Sequence, residues 1–404
     1  MKTETATKKN SAVGPTWWDI LPYFLGTAIF AGHLILQNTL YRNCMVYVWI
    51  GYVVIPLFDY LLPKDNKNLS REEAIKWQRD PRFLVPLYAV WALDVGTYIY
   101  VMWGMTTGEL GGNWKEFLAM TIYASQNGMV NIVVGHELIH HKGQIHKILG
   151  SFPYFKAMYS HFYLLHVFVH HKQVATPDDP QSARFGESVY QYFARAIPTG
   201  FKKTYDFECE RLKEMGQEGS FIKNRFLITS VIQVIYMTAV YVFLGERTLG
   251  FHLLYTLIMI LEFETVNYVE HYGLSRKLLS DGKTYEKVDL KHSWNAPQAI
   301  TNIIFFKLQR HSDHHENAYK PYQVLESYPE KSPELPYGYS ISIILSFTPY
   351  VWKKVIDPLA IAANDKTVPI DNKEHHLWVA GTLLIFSIIF TYITFVVFDP
   401  SNSF

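Results

Sequence analysis

FLITSVIQVIYMTAVYVFL (226–244) and LWVAGTLLIFSIIFTYITFVVF (377–398) contain no charged side chain. A helix needs about 20 apolar residues to cross about 30 Å of hydrocarbon, so each stretch reads as a transmembrane span. Five further runs of that kind lie at 17–40, 44–63, 83–107, 116–135 and 249–269. Composition agrees. Charged residues are 18% of the chain, against about 25% in an average soluble protein, and the apolar residues are gathered into long runs rather than amphipathic stripes. The fold class expected is all-α: a polytopic bundle of about six core spans, an added C-terminal span and a histidine-rich cap.

One membrane domain, 17–357, is expected between a polar N-terminal tail, 1–16, and the extra span at 377–398. The first apolar run is too long for a signal-peptide core and reads as a retained anchor. A net charge of +1 offers no basic surface for nucleic acid. Two distant thiols, Cys44 and Cys209, cannot build a disulfide framework, a zinc ribbon or a cysteine-ligated iron–sulfur cluster.

Lysine and arginine mark cytoplasmic loops. Segment 64–82 carries Lys64, Lys67, Arg71, Lys76, Arg79 and Arg82, whereas the returns near Arg42, Lys115 and Arg247 carry almost none. The loops after the fourth and sixth runs are basic again, with Lys142, Lys147, Arg276 and Lys277. The alternation places the N-terminus and the ends of spans two, four and six inside. The C-terminal run then ends outside.

Nine of the 17 histidines fall at those inner ends, in HELIH (136–140), HVFVHH (166–171), EHYG (270–273) and RHSDHH (310–315). Residues at i, i+3 and i+4 share a helix face. His136 with His140, His166 with His170, and His311 with His314 and His315 all have that spacing, with His171 adjacent and His271 closing the sixth run. A lone histidine on an apolar face is usually a hydrogen-bonded core residue. Clusters on one membrane side, at depths where ionisable groups are costly, point to a metal instead. Nine ligands exceed the four of a structural zinc site and supply four or five for each of two ions. Imidazole suits zinc, copper, iron and nickel, and a thiolate-free site with open positions suits oxygen-activating iron.

HELIH, HVFVHHKQVATPDDPQSAR (166–184), NYVEHYGL (267–274), KHSWN (291–295) and LQRHSDHH (308–315) resemble the motifs of the integral-membrane alkane 1-monooxygenase family, di-iron omega-hydroxylases related to membrane fatty-acid desaturases and hydroxylases. The resemblance runs from about Trp17 to Asp357. Carried over by position, it implies iron ligands His136, His140, His166, His170, His171, His271, His311, His314 and His315. The sequence departs where the family has Glu and Gly around its second motif, here Leu165 and Val169, with Val167 and Phe168 between. Ile139 replaces a glycine, His141 is inserted before Lys142, and the final span is absent from typical members.

Carboxylates near metal-bound histidines often fix the ring tautomer. Glu137, Glu264, Glu270 and Asp313 are candidates, with Glu264, Asn267 and His271 at i, i+3 and i+7. His292 and Arg310 are expected to support the cap. Bulky residues along the spans mostly pack or face lipid, but some must wall a tunnel, with Trp49 and Phe58 as candidates. A gapless match of Pro56 to Asp59 puts Gly51 where the family often has a larger side chain, implying a deeper tunnel there.

The resemblance implies insertion of one oxygen atom of O2 into the terminal methyl of a medium- to long-chain alkane, with two iron ions as cofactor. No flavin fingerprint, haem motif or rubredoxin-type cysteine set is present to supply electrons. The implied donor is external: rubredoxin, or cytochrome b5 in a eukaryote. The membrane implied is the bacterial inner membrane, or the endoplasmic reticulum in a eukaryote. The alternatives are a lipid hydroxylase or desaturase acting on a fatty acyl, sterol or aromatic methyl group, a zinc protease using HELIH with Glu137 as base, and a non-catalytic metal transporter.

Overall fold

The computed structural model describes residues 14–39, 43–367 and 373–401. The expected tail through Val13, Arg42 of the first return and the last three residues lie outside them. Among the described residues the chain is helical, with isolated bridges only at Leu278–Tyr285 and Asn295–Glu334.

The membrane helices, in order, are α1 (Trp17–Ile35), the shorter α2 (Met45–Leu61), α3 (Pro81–Thr107) and α4 (Trp114–His140). A connecting helix, α5 (Gln144–Lys156), leads to the cap helix α6 (Val189–Glu214). Helix then runs almost unbroken from Arg225 to His271. It is two spans, α7 (Arg225–Ala239) and α8 (Gly245–His271), not one. Gly245 interrupts it with φ +84° and ψ 174°, which a side chain would strain. The Tyr98 hydroxyl lies 2.8 Å from Tyr236 Oη and 2.5 Å from His252 Nδ1, so residues on either side of Gly245 meet at one depth. That juxtaposition requires a hairpin. It restores the two separate spans expected at 226–244 and 249–269.

Short helices complete the cap: α9 (His311–Glu316), α10 (Gly338–Ser346) and α11 (Pro349–Asp365). The boundary expected at Asp357 falls inside α11, where Asp357 accepts a 2.6 Å hydrogen bond from the Tyr272 hydroxyl. The added span is α12 (His375–Val397). It packs on α2: Asn43 donates to the Thr394 carbonyl at 2.6 Å, and the Trp49 indole to Thr391 Oγ1 at 2.8 Å.

Helix α4 is the centre of the bundle, packed against α3, α5 and α8. Asn113 caps it by accepting from the amides of Lys115 and Glu116. Its last turns meet α5 at a glycine crossing. A Cβ on Gly135 would sit 2.7 Å from the Gly150 carbonyl oxygen, so only glycine permits this approach. Nearby, the buried Lys156 ammonium pairs with Asp94, which also accepts 2.6 Å from Asn131, tying α5 to α3 and α4. On the cap, Glu208 accepts from the Arg211 and Arg225 guanidiniums and the Arg225 amide, clamping α6 to the start of α7. Burial pushes the Glu208 carboxyl up, but those hydrogen bonds prevail and hold it at about 2.

Two outcomes follow for stability. Lys156→Met, which strands the Asp94 charge, should cost about 3–5 kcal/mol, and adding Asp94→Leu should recover much of it; thermal unfolding of both variants in detergent measures this. Glu208 titrates lower folded than unfolded, so its clamp contributes above the ordinary glutamate range and fades as pH falls from about 4.5 to about 2. Glu208→Gln should therefore flatten acid-induced loss of the fold across that window.

Candidate metal centre

Helix α4 runs through His140, so HELIH occupies its final turn, and α8 likewise ends on His271. HVFVHH lies on a π-helical turn, Leu165–His170, and the residue after it, His171, and RHSDHH lies on α9 and its N-cap, Arg310. These segments bring all nine expected histidines together. His136, His140, His166, His171 and His314 form one group, with one ligand atom of each within 4.8 Å of the others. His170, His271 and His315 form a second, and Glu270, His271 and His311 a third that shares His271. Rings of His171 and His315, from different groups, lie 4.6 Å apart, so the groups adjoin.

The partition differs from that expected by α-helical spacing. His166 and His170 were expected on one face. The π turn instead places His166 with His171, whose Nε2 atoms are 3.0 Å apart, and sends His170 to the neighbouring group. One extra residue per turn shifts the shared face from i+4 to i+5. On α9 the pair at i, i+4, His311 and His315, stays together at 3.1 Å while His314 crosses to the first group.

Protons alone cannot satisfy this cluster. His166 Nε2 lies 2.8 Å from His136 Nε2, 3.1 Å from His140 Nε2 and 3.0 Å from His171 Nε2. A ring nitrogen has one in-plane hydrogen or lone pair, so it makes one such bond, not three. Metal–imidazole bonds of about 2.0–2.1 Å at right angles would put ligand nitrogens about 3 Å apart, the spacing found. His170 Nε2 and His314 Nε2 are buried with no hydrogen-bond partner, as atoms that serve as metal ligands would be. The donor set fits a pair of metal ions.

The four carboxylates proposed from sequence have different surroundings. Glu270 Oε2 is 3.3 Å from His311 Nε2, within the cluster itself. Glu264 is buried nearby and accepts from the hydroxyls of Tyr159 at 2.7 Å and Tyr192 at 2.8 Å. Glu137 accepts from the Tyr322 amide at 3.2 Å, and Asp313 from Lys320 and the Glu326 amide, both at 2.7 Å. Those last two fasten the cap rather than orient a ring. The carboxylate that does so is Asp179, which the sequence reading missed. Its Oδ2 is 2.8 Å from His170 Nδ1 and accepts from Ser182 Oγ at 2.6 Å. TPDDP carries two adjacent aspartates in a loop, and nothing in their spacing says which one turns inward.

Arg310 holds the base of α9. Its buried guanidinium donates to the carbonyls of Asp65, Lys67 and Leu325 and to Asp65 Oδ2. His292 accepts from the Asp289 amide in the same cap.

An apolar cavity reaches the cluster. Near the metal side it is lined by Met129, Val133, Phe263 and Val266 beside His136, His166 and His311. Met129, Val133, Val266 and Leu308 also line a larger cavity that continues to Gly51 and Gly26. A Cβ on Gly51 would meet nothing within 4 Å. Trp49 and Phe58 are not among its walls: Trp49 turns to α12, against Phe395, and Phe58 is 51% exposed on the outside of α2.

Residues 112–347 match the fatty acid desaturase family model. The chain is 31% identical over 322 residues to alkane 1-monooxygenase of Pseudomonas putida, covering 80% of this chain and 79% of that protein. The chain belongs to the alkane 1-monooxygenase family. A second member, alkane 1-monooxygenase 2 of Pseudomonas aeruginosa, is 33% identical over 332 residues, covering 79% of this chain and 85% of the relative. The xylene/toluene monooxygenase hydroxylase component of Pseudomonas putida is 24% identical over 323 residues, covering 77% and 81%. In this family setting the histidine groups are a metal centre at the membrane boundary of an oxidoreductase.

Orientation of His170 by Asp179 has a measurable consequence. Asp179→Asn should weaken metal retention about 10–100-fold, and chelator competition followed by elemental analysis reads it. Unchanged retention would show that the ring is oriented without the carboxylate.

Proposed function

We propose that the protein hydroxylates the terminal methyl of a medium- to long-chain hydrocarbon, using two irons held by the nine histidines. The observation that carries this reading is a pair of apolar cavities with a common wall of Met129, Val133, Val266 and Leu308, one beside His136, His166 and His311 and the other reaching Gly51. A protease would need an open polar cleft for its peptide, and a transporter would need ligands along a pore rather than at its end.

When bound, the irons would reduce O2 with two external electrons and supply the oxidising power for the methyl C–H bond. The chain does the rest. Histidines from α4, the π turn, α8 and α9 fix the ligand positions, and Asp179 holds the Nδ1–H of His170. Met129, Val133, Phe162, Phe263 and Val266 exclude water beside the reacting end. A narrow apolar channel presents a chain by its end, so a terminal methyl reaches the centre by position rather than by a chemical handle. The basic loops beside the histidines support a multi-pass orientation with the centre on the cytoplasmic side, in reach of a soluble or peripheral electron carrier such as rubredoxin or cytochrome b5.

Membranes containing the protein, supplied with a reduced carrier and 18O2, should convert octane or hexadecane to the 1-alkanol with one labelled oxygen; label absent from the alcohol would dismiss a monooxygenase. Gly51→Trp projects an indole into the cavity and should shift the preferred alkane to shorter chains by several carbons. An unchanged chain-length profile would place the tunnel elsewhere.

A further inference from the structure

Beside Gly51 the wall of the larger apolar cavity carries a polar station. Glu262 of α8, Gln126 of α4 and Tyr52 of α2 all line it. Gln126 Nε2 donates to Glu262 Oε1 at 2.5 Å, and the Tyr52 hydroxyl reaches the same oxygen at 3.3 Å. The other oxygen, Oε2, is enclosed and has no hydrogen-bond partner. A carboxyl group inside a membrane-spanning bundle is costly unless it is used, and an unmet lone pair adds to that cost.

The station lies in register with the metal centre. Glu262, Val266 and Glu270 follow at i, i+4 and i+8 on α8, a rise of about 12 Å that spans about ten extended methylenes. Gln126, Met129, Val133 and His136 trace the same channel wall on α4, over about 15 Å. An alkane lying there offers Oε2 nothing. A hydroxyl at that depth would donate to it. An ionised headgroup, carboxylate or ammonium, would have to shed its hydration to enter the membrane.

Resting on the hydroxylase reading above, we propose that the preferred substrate is a hydrocarbon chain with a hydroxyl about ten carbons from the reacting methyl, a long-chain primary alkanol oxidised to its α,ω-diol. The methyl C–H bond breaks and a C–O bond forms with one atom of O2. The other atom leaves as water, with two protons and two electrons from the reduced external carrier. The substrate's own hydroxyl remains intact, donating to Glu262 Oε2.

The test is a competition in one vessel. Membranes with the protein and a reduced carrier receive an unlabelled n-alkane and the 13C-labelled 1-alkanol of equal length, from eight to sixteen carbons, and mass spectrometry reads the products. The expected result is a sharp optimum for labelled diol near eleven to thirteen carbons, with the alkanol favoured over the alkane by about tenfold there. Glu262→Leu should lower the ratio of diol to alkane-derived alcohol about tenfold, whereas Glu262→Gln, which keeps an acceptor, should retain most of it. Because both products form in one vessel, the ratio is independent of how much variant folds. Alkane oxidation without a diol preference, or a ratio unmoved by Glu262→Leu, overturns the polar station alone. Wild-type protein that oxidises neither substrate overturns the hydroxylase reading with it.

Discussion

Four chain segments converge because imidazole nitrogens brought within about 3 Å of one another, out of water, need a cation between them. Without one, His166 Nε2 faces three neighbouring Nε2 atoms and can satisfy one. Much of the cap serves that convergence. Arg310 anchors the base of α9, Asp313 ties its first turn to Lys320 and the Glu326 amide, and Glu137 receives the Tyr322 amide. The glycine crossing of α4 and α5 brings the π turn under the end of α4.

Below the cluster the requirement reverses. The channel wall must be dry for an unactivated methyl to compete for an oxidant, and Met129, Val133, Phe263 and Val266 make it so. Two buried carboxylates of α8 contrast with that wall. Glu264 is fully engaged by two tyrosine hydroxyls, so it reads as part of the scaffold behind His170 and His271. Glu262 lines the cavity and has one carboxyl oxygen without a hydrogen-bond partner, so it reads as a place for a substrate group. Two carboxylates two residues apart on one helix thus face opposite ways.

The sequence reveals its spans because uncharged runs of this length have few other uses, and its ligands because nine histidines recur at helix ends. It conceals how the ligands divide. That depends on a π turn at Leu165–His170, which hydrophobic period does not encode. Asp179 was hidden for a related reason, since its role is set by a loop contact rather than by spacing. Trp49 looked like a tunnel wall because it adjoins Gly51. Its neighbours are supplied by α12, more than 300 residues away, and such a partner cannot be read from local pattern. The return at Gly245 was legible as a loop, although helix continues almost to its edge on both sides.

X-ray absorption at the metal edge, combined with the metal count per chain after anaerobic loading with ferrous ion, tests the central claim most directly. Two irons per chain with a first shell dominated by imidazole nitrogen are predicted. A single ion per chain, a sulfur-containing shell, or protein that stays metal-free under those conditions would contradict the account.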